Sequence, residues 1–294
     1  MPYLTPPPDG APNKPMTRVP AGAWDCQIHL FGPPAQYPFD PDSPYVSDEA
    51  LPETAIQLMR VLGLERAVVV SGGGYGRDYQ YLLDVLKRFP QRFVGVILPP
   101  DKLADEEILR LDTLGVRGIR FVSEGRASNL PRILPDMAAQ AQNIGWPIHF
   151  YPHGDDIVQY AEPLLALPNR QIVLDHFASV PAAKGMDQPA MNTLLKMLDT
   201  GRVWVKLSGP MRCVAGDMPY AAITPIARAL IRHAPERMVW GSDWPHVNMV
   251  GRQMPNDGDL FDLIAEWAPD EQDRKKILVD NPAVLYGAPA RNSI

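Results

Sequence analysis

Cysteine is nearly absent: Cys26 and Cys213 are the two in 294 residues. Far apart and without ligand spacing, they exclude a disulfide framework and a thiolate metal centre, and they fit a reducing compartment. No apolar run approaches the roughly 18 residues that a membrane span needs. The opening 25 residues lack the continuous apolar stretch of a secretory signal. A cytoplasmic chain with no membrane partner is therefore expected. Basic runs are also missing, and a net charge of −6 argues against nucleic acid as a partner while leaving room for arginines gathered in a pocket. The glycine-rich run of residues 71–76, SGGGYG, has neither the Rossmann spacing nor a Walker lysine, so it reads as a loop rather than a nucleotide cradle.

What is present is ordinary in amount, 46% hydrophobic and 21% charged, and the information lies in its order. Residues 1–22 hold seven prolines and no apolar period, which predicts an extended arm lying on the domain or on a neighbouring subunit of a homo-oligomer. Residues 23–294 then read as one domain. Apolar, β-branched runs recur at Trp24–Leu30, Arg66–Ser71, Phe93–Leu98, Val116–Phe121, Pro147–Tyr151, Gln171–Asp175, Val203–Leu207 and Arg237–Asp243. Between them lie helical stretches at Glu53–Leu64, Asp78–Arg88, Asp105–Leu114, Leu130–Asn143, Asp156–Leu165, Met191–Asp199 and Tyr220–His233. Eight such alternations favour a closed (β/α)₈ TIM barrel over an open doubly wound sheet. From Asp270 a last helix is expected, ending in an Asn-Pro break.

Barrel enzymes carry their chemistry where strands end. Those tips offer Asp25, Gln27 and His29 on the first strand, Arg117 and Arg120 on the fourth with Arg126 beyond, and His149, Tyr151 and His153 on the fifth. Asp175 and His176 follow on the sixth, Lys206 and Arg212 on the seventh, and Asp243 and His246 on the eighth. Asp243 stands between Trp240 and Trp244, surroundings expected to desolvate it and suit it to accept a proton near neutral pH. For Lys206 and Arg117 the bland reading, a structural ion pair, carries even weight.

The Asp-x-Gln-x-His start, the Asp175-His176 pair, the Trp-Gly-Ser-Asp-Trp-Pro-His element and the late Asn-Pro-x-x-Leu-Tyr segment together resemble the amidohydrolase superfamily, in the branch that contains 2-pyrone-4,6-dicarboxylate lactonase and D-galactarolactone isomerase. The resemblance runs over nearly the whole chain from Ala21. It implies His29, His176, Asp243 and His246 as the catalytic cluster, with Arg120, Arg126, Arg212, Tyr45 and Tyr151 as substrate ligands and Gln27 beside them. Three guanidiniums match carboxylate oxygens in a planar fork, which points to a small anionic lactone. Two departures carry weight. Metal-binding members begin His-x-His, whereas here the first position is Gln27, a poor zinc ligand, so no metal and no other cofactor is expected. Gly73 and Gly74 stand where the lactonase presents polar side chains.

The expected chemistry is hydrolysis, with Asp243 taking a proton from water while His29 and His176 polarise the lactone carbonyl. Isomerisation, in which a substrate hydroxyl attacks instead, would use the same residues. A metal-dependent hydrolase or decarboxylase, and a silent binding protein that keeps only the arginine pocket, are the other readings.

Overall fold

Alternation along each strand decides which side chains enter the barrel. Val68, Val94, Val173, Trp204 and Val239 pack together inside it, while their neighbours Val69, Phe93, Ile172, Val205 and Met238 face the helix layer. Both faces are thus covered, and the strands are apolar almost throughout. The structure, a computed structural model, describes residues 2–99, 103–123 and 130–287, the side chains of 130–133 excepted. Its strands are β1 (Trp24–Ile28), β2 (Arg66–Val70), β3 (Phe93–Ile97), β4 (Val116–Val122), β5 (Ile148–Tyr151), β6 (Ile172–Leu174), β7 (Val203–Ser208) and β8 (Met238–Gly241). They pair in parallel in chain order. Closure of β8 onto β1 comes from Asp243 N–H donating to Gln27 O and His29 N–H donating to Trp244 O, both at 2.8 Å. A side chain at Gly241 would put its Cβ 2.6 Å from that of Gln27, so only glycine allows the seam to meet.

Among the described residues the strands are wrapped by α1 (Pro52–Leu62), α2 (Gln80–Arg88), α3 (Asp105–Thr113), α4 (Leu130–Asn143), α5 (Asp156–Leu165), α6 (Pro189–Leu198), α7 (Thr224–His233) and α8 (Asp257–Trp267). Helix α8, where Asn256 caps the Gly258 N–H at 3.1 Å, was not among the helices expected from spacing. The Asn-Pro pair near the end is no break. The chain runs helical over Glu271–Lys275, widens to a π turn over Lys276–Asp280 and continues as a helix over Asn281–Tyr286. The π turn absorbs the N–H that Pro282 lacks, and Asn281 donates to Pro235 O and Met238 O.

The proline-rich arm lies on its own barrel. Met16 N–H and Thr17 N–H donate to the two oxygens of Asp262 on α8, at 3.0 and 2.8 Å. Further out, Tyr3–Leu4 pairs in parallel with Tyr45–Val46, and the Tyr3 hydroxyl donates to Asn248 Oδ1. Among the described residues no helix is long and apolar enough to cross a membrane.

Candidate active site

The parity that buries valines at the bottom of the barrel lifts polar side chains at its top. In register with the upper valines of the plug stand polar side chains, Lys206 beside Val239 and His149 beside Val173, with Arg120 beside His149 and Asp175 two residues past Val173. All four polar residues are buried. Asp175 gathers them: Lys206 Nζ lies 3.0 Å from Oδ1 and Arg120 Nε 2.8 Å from Oδ2. Lys206 also donates to Gln27 Oε1 at 2.5 Å. This fixes the Gln27 amide so that its NH₂ faces His29 Nε2, 3.4 Å away.

Above this floor opens a cavity of about 710 Å³, lined among others by His29, Tyr45, Arg77, Arg120, Tyr151, His153, His176, Arg212 and Asp243. Asp243 is its centre. The residue has φ of +68° and is held there by its N–H to Gln27 O and by its carbonyl, which accepts from His246 N–H at 2.8 Å. Strain of this kind is retained at sites that need one side-chain direction. Oδ1 faces His29 Nε2 at 3.4 Å and His176 Nε2 at 3.7 Å, while Oδ2 accepts from Arg212 at 2.7 and 3.0 Å. Gly209 makes this convergence possible: its φ is +53°, and a Cβ would lie 2.8 Å from His176 Nδ1 and 3.0 Å from Asp243 Oδ2.

The electrostatics correct one expectation. Burial by itself would raise the Asp243 carboxyl, but Arg212, His176 and His29 outweigh it and hold it well below the usual carboxylate range. Trp240 and Trp244 pack in the helix-side core. Held in this way, Asp243 is a weak base. Burial drives His176 down to about 4 against the pull of Asp243, so it is neutral at pH 7. Its Nδ1 has the Ser208 hydroxyl at 3.0 Å and the Ser208 carbonyl at 3.4 Å, which leaves Nε2 aimed into the cavity toward Asp243. His29 differs: its Nδ1 lies 2.8 Å from Val70 O. That carbonyl can only accept, so the ring carries a hydrogen on Nδ1. Tyr45 and Tyr151 are raised by burial to about 12 and stay as phenols. Tyr45 Oη accepts from Gly74 N–H at 3.1 Å, and Arg120 Cζ lies 5.3 Å from the Tyr151 ring.

The structure thus brings together His29, His176, Asp243, Arg120, Arg212, Tyr45 and Tyr151, with Gln27 just beneath. His246 does not join them. It is fully buried, does not line the cavity and binds Asp257 Oδ1 through Nε2 at 3.0 Å, so it braces the loop that carries Asp243. Arg117 is tied to Asp112 Oδ1 at 3.0 Å and to Asp112 O at 2.7 Å, away from the mouth. Lys206 makes a buried ion pair, the bland reading. Arg126 falls outside the described residues. Asn248, Asp40 and Asp42 line the cavity without any signal in the sequence, because they sit in loops whose return path only the fold reveals. Arg77 lines the cavity too, as does His153, which the sequence offered at the tip of the fifth strand.

The chain belongs to the amidohydrolase family, whose profile matches residues 24–288. It is 37% identical over 275 residues to a 4-sulfomuconolactone hydrolase of Rhizobium radiobacter, spanning 92% of this chain and 91% of that one. It is 34% identical over 286 residues to a 2-pyrone-4,6-dicarboxylate hydrolase of Comamonas testosteroni, at 94% and 93% coverage. A D-galactarolactone isomerase of Agrobacterium fabrum is 31% identical over 281 residues, covering 94% of each. An apo crystal structure from Agrobacterium tumefaciens superposes with a TM-score of 0.84 at 29% identity, covering 93% of this chain and 98% of the other.

The metal centre found in other amidohydrolases does not fit these residues. Where a metal-binding member has its first imidazole, Gln27 offers an amide oxygen already satisfied by the Lys206 ammonium, and a fixed positive charge there repels a second cation. Among the described residues no group of three or more His, Cys, Asp or Glu side chains is placed to hold a metal ion.

Proposed function

We propose that this chain hydrolyses a small lactone bearing one or more acid groups, without a metal ion. The observation that carries the reading is the Asp243 carboxylate, with one oxygen toward two imidazoles and the other toward a guanidinium, at the head of a cavity walled by arginines and phenols. Homologues named for lactone hydrolysis at 34% and 37% identity support it. Water adds to the lactone carbonyl carbon as its proton passes to Asp243 Oδ1. His176 and His29, both facing Asp243 Oδ1, polarise the carbonyl as the oxyanion develops. Collapse breaks the ring C–O bond, and the leaving oxygen takes the proton back from Asp243, giving an acyclic acid. Arg120, Arg212, Tyr45 and Tyr151 hold the acid groups.

A panel of anionic lactones followed with a pH indicator, with and without chelator, tests this. Turnover with net acid release, unchanged by chelation, is expected. Loss of activity on chelation would remove the metal-free mechanism. Product analysis separates the related isomerase chemistry, favoured by the 31% identity to a lactone isomerase, since a new ring without net acid release would mean that a substrate hydroxyl attacks.

A further inference from the structure

Arg212 holds two positions at once. Both of its bonding nitrogens, Nε and a terminal nitrogen, rest on the single oxygen Asp243 Oδ2, and its guanidinium also lines the cavity, its side chain 11% exposed where that of Asp243 is 1% exposed. A carboxylate so clamped is a poor proton acceptor, and an arginine so engaged has fewer donors to offer a ligand. The two demands conflict only while the cavity lacks an anion. We propose that Arg212 is a substrate-operated latch: an acid group of the incoming lactone takes its donors and draws them off Asp243, so that the water-activating carboxylate is released only in the complex.

The surroundings allow the exchange. Arg212 sits in the short turn Pro210–Arg212, just past the end of β7. The other charged or titratable groups that line the cavity with Asp243 come from different elements: His29 from the end of β1, Asp40, Asp42 and Tyr45 from the loop after it, Arg77 from the loop after β2, Arg120 from β4, Tyr151 from β5, His153 from just past it and His176 from beyond β6. Of these, Arg120 is bonded to Asp175 and Ser71 O rather than to Asp243, and Tyr45 and Tyr151 remain neutral phenols. Arg212 is bonded to Asp243 by fixed charge and also lines the cavity. A ligand anion competing for that guanidinium shifts the pair in proportion to how much better it binds the freed state. The latch deepens the lactonase reading, because it presupposes that Asp243 is the base.

The test uses the full chain with ¹³C-labelled aspartate carboxyls, Asp243 being assigned by the signal lost in Asp243→Asn, and isophthalate as a non-hydrolysable planar diacid. In the wild type, saturating isophthalate should raise the pH midpoint of Asp243 by about one to three pH units, the range that loss of one close opposite charge produces. In Arg212→Gln the free protein should start from the raised midpoint and isophthalate should move it little. Arg212→Lys, which keeps the charge but cannot place two donors on one oxygen, should fall between. The proposal is overturned if isophthalate does not bind, if it leaves the wild-type midpoint in place, or if it moves wild type and Arg212→Gln equally, since the ligand's own charge would then explain the change. A latch that operates in a protein hydrolysing no lactone in the panel would sustain this inference and remove the lactonase reading instead.

Discussion

Lys206→Met removes one charge from a closed set and leaves the volume nearly unchanged. Nζ lies 3.0 Å from Asp175 Oδ1 and 2.5 Å from Gln27 Oε1, and Lys206 and Asp175 are both 0% exposed. Deleting one partner of a buried pair costs about 3–5 kcal/mol, because the survivor is left without compensation in a poorly solvated place. Asp175 retains Arg120 at 2.8 Å on its other oxygen, which puts the expectation near the lower end, about 3 kcal/mol. The orphaned Gln27 oxygen adds about 1 kcal/mol. At roughly 2–4 °C per kcal/mol in a chain of this size, Tm should fall by on the order of 10 °C. Differential scanning calorimetry at pH 7 reads it directly. A fall below about 2 °C, half a kcal/mol on the same scale, would mean that Lys206 is already neutral in the native state, where burial lowers its pKa, and the fixed cation argued to repel a metal would not exist.

Asp243→Asn should keep the affinity for isophthalate, or raise it by freeing Arg212, while eliminating turnover; calorimetric titration alongside the lactone assay checks both. His176→Ala should lower kcat by about 10²–10³ through loss of one oxyanion donor, with KM nearly unchanged. Stability should fall as pH drops from 6.5 to 4. His149 and His176 are held by burial at about 3 and about 4, below their unfolded values, so the unfolded chain binds their protons first. Asp25 acts in the opposite sense, because burial raises it to about 7 and the native state binds its proton first. Two protons against one leave a net slope of about one proton, and Asp25→Asn should steepen it toward two; urea denaturation at half-unit pH steps measures the slope.

Strand periodicity was enough to read the barrel, because both faces of each strand are buried and the helices between them are amphipathic. The same parity placed Arg120, His149, Asp175 and Lys206 at the ends of their strands. What sequence could not supply was the set of neighbours across the cavity. Asp243 was judged by Trp240 and Trp244, its neighbours along the chain, whereas its acidity is set by Arg212, His176 and His29, which lie 31, 67 and 214 positions away as counted from the residue numbers. His246 shares the specific motif of Asp243 but turns to Asp257, because the two sit in a tight positive-φ turn that points successive side chains apart. The Asn-Pro pair misled for a related reason: a π turn is set by the backbone ahead of the proline and has no compositional mark.

Charge balance gives the preference for anions a cause beyond the presence of arginines. Leaving aside the half-buried Asp40 and Arg77 and the exposed Asp42, which also line the cavity, the charged side chains at its head and floor are Arg120, Lys206 and Arg212 against Asp175 and Asp243. One positive charge is left over. Asp25 cannot cancel it fully, since burial holds its carboxyl at about 7, and in water-poor surroundings the excess is costly until an anion arrives. An acid group on the substrate supplies that charge; its methyl ester does not. Each charge-assisted hydrogen bond lost is worth about 1.5–3 kcal/mol, so kcat/KM for a lactone methylated on its acid group should fall by about 10- to 150-fold relative to the free acid. The comparison needs one lactone and its ester, assayed in parallel at constant ionic strength. If the ester is hydrolysed as fast as the acid, the surplus charge does not select the substrate, and the arginines serve only to position Asp243 and Asp175.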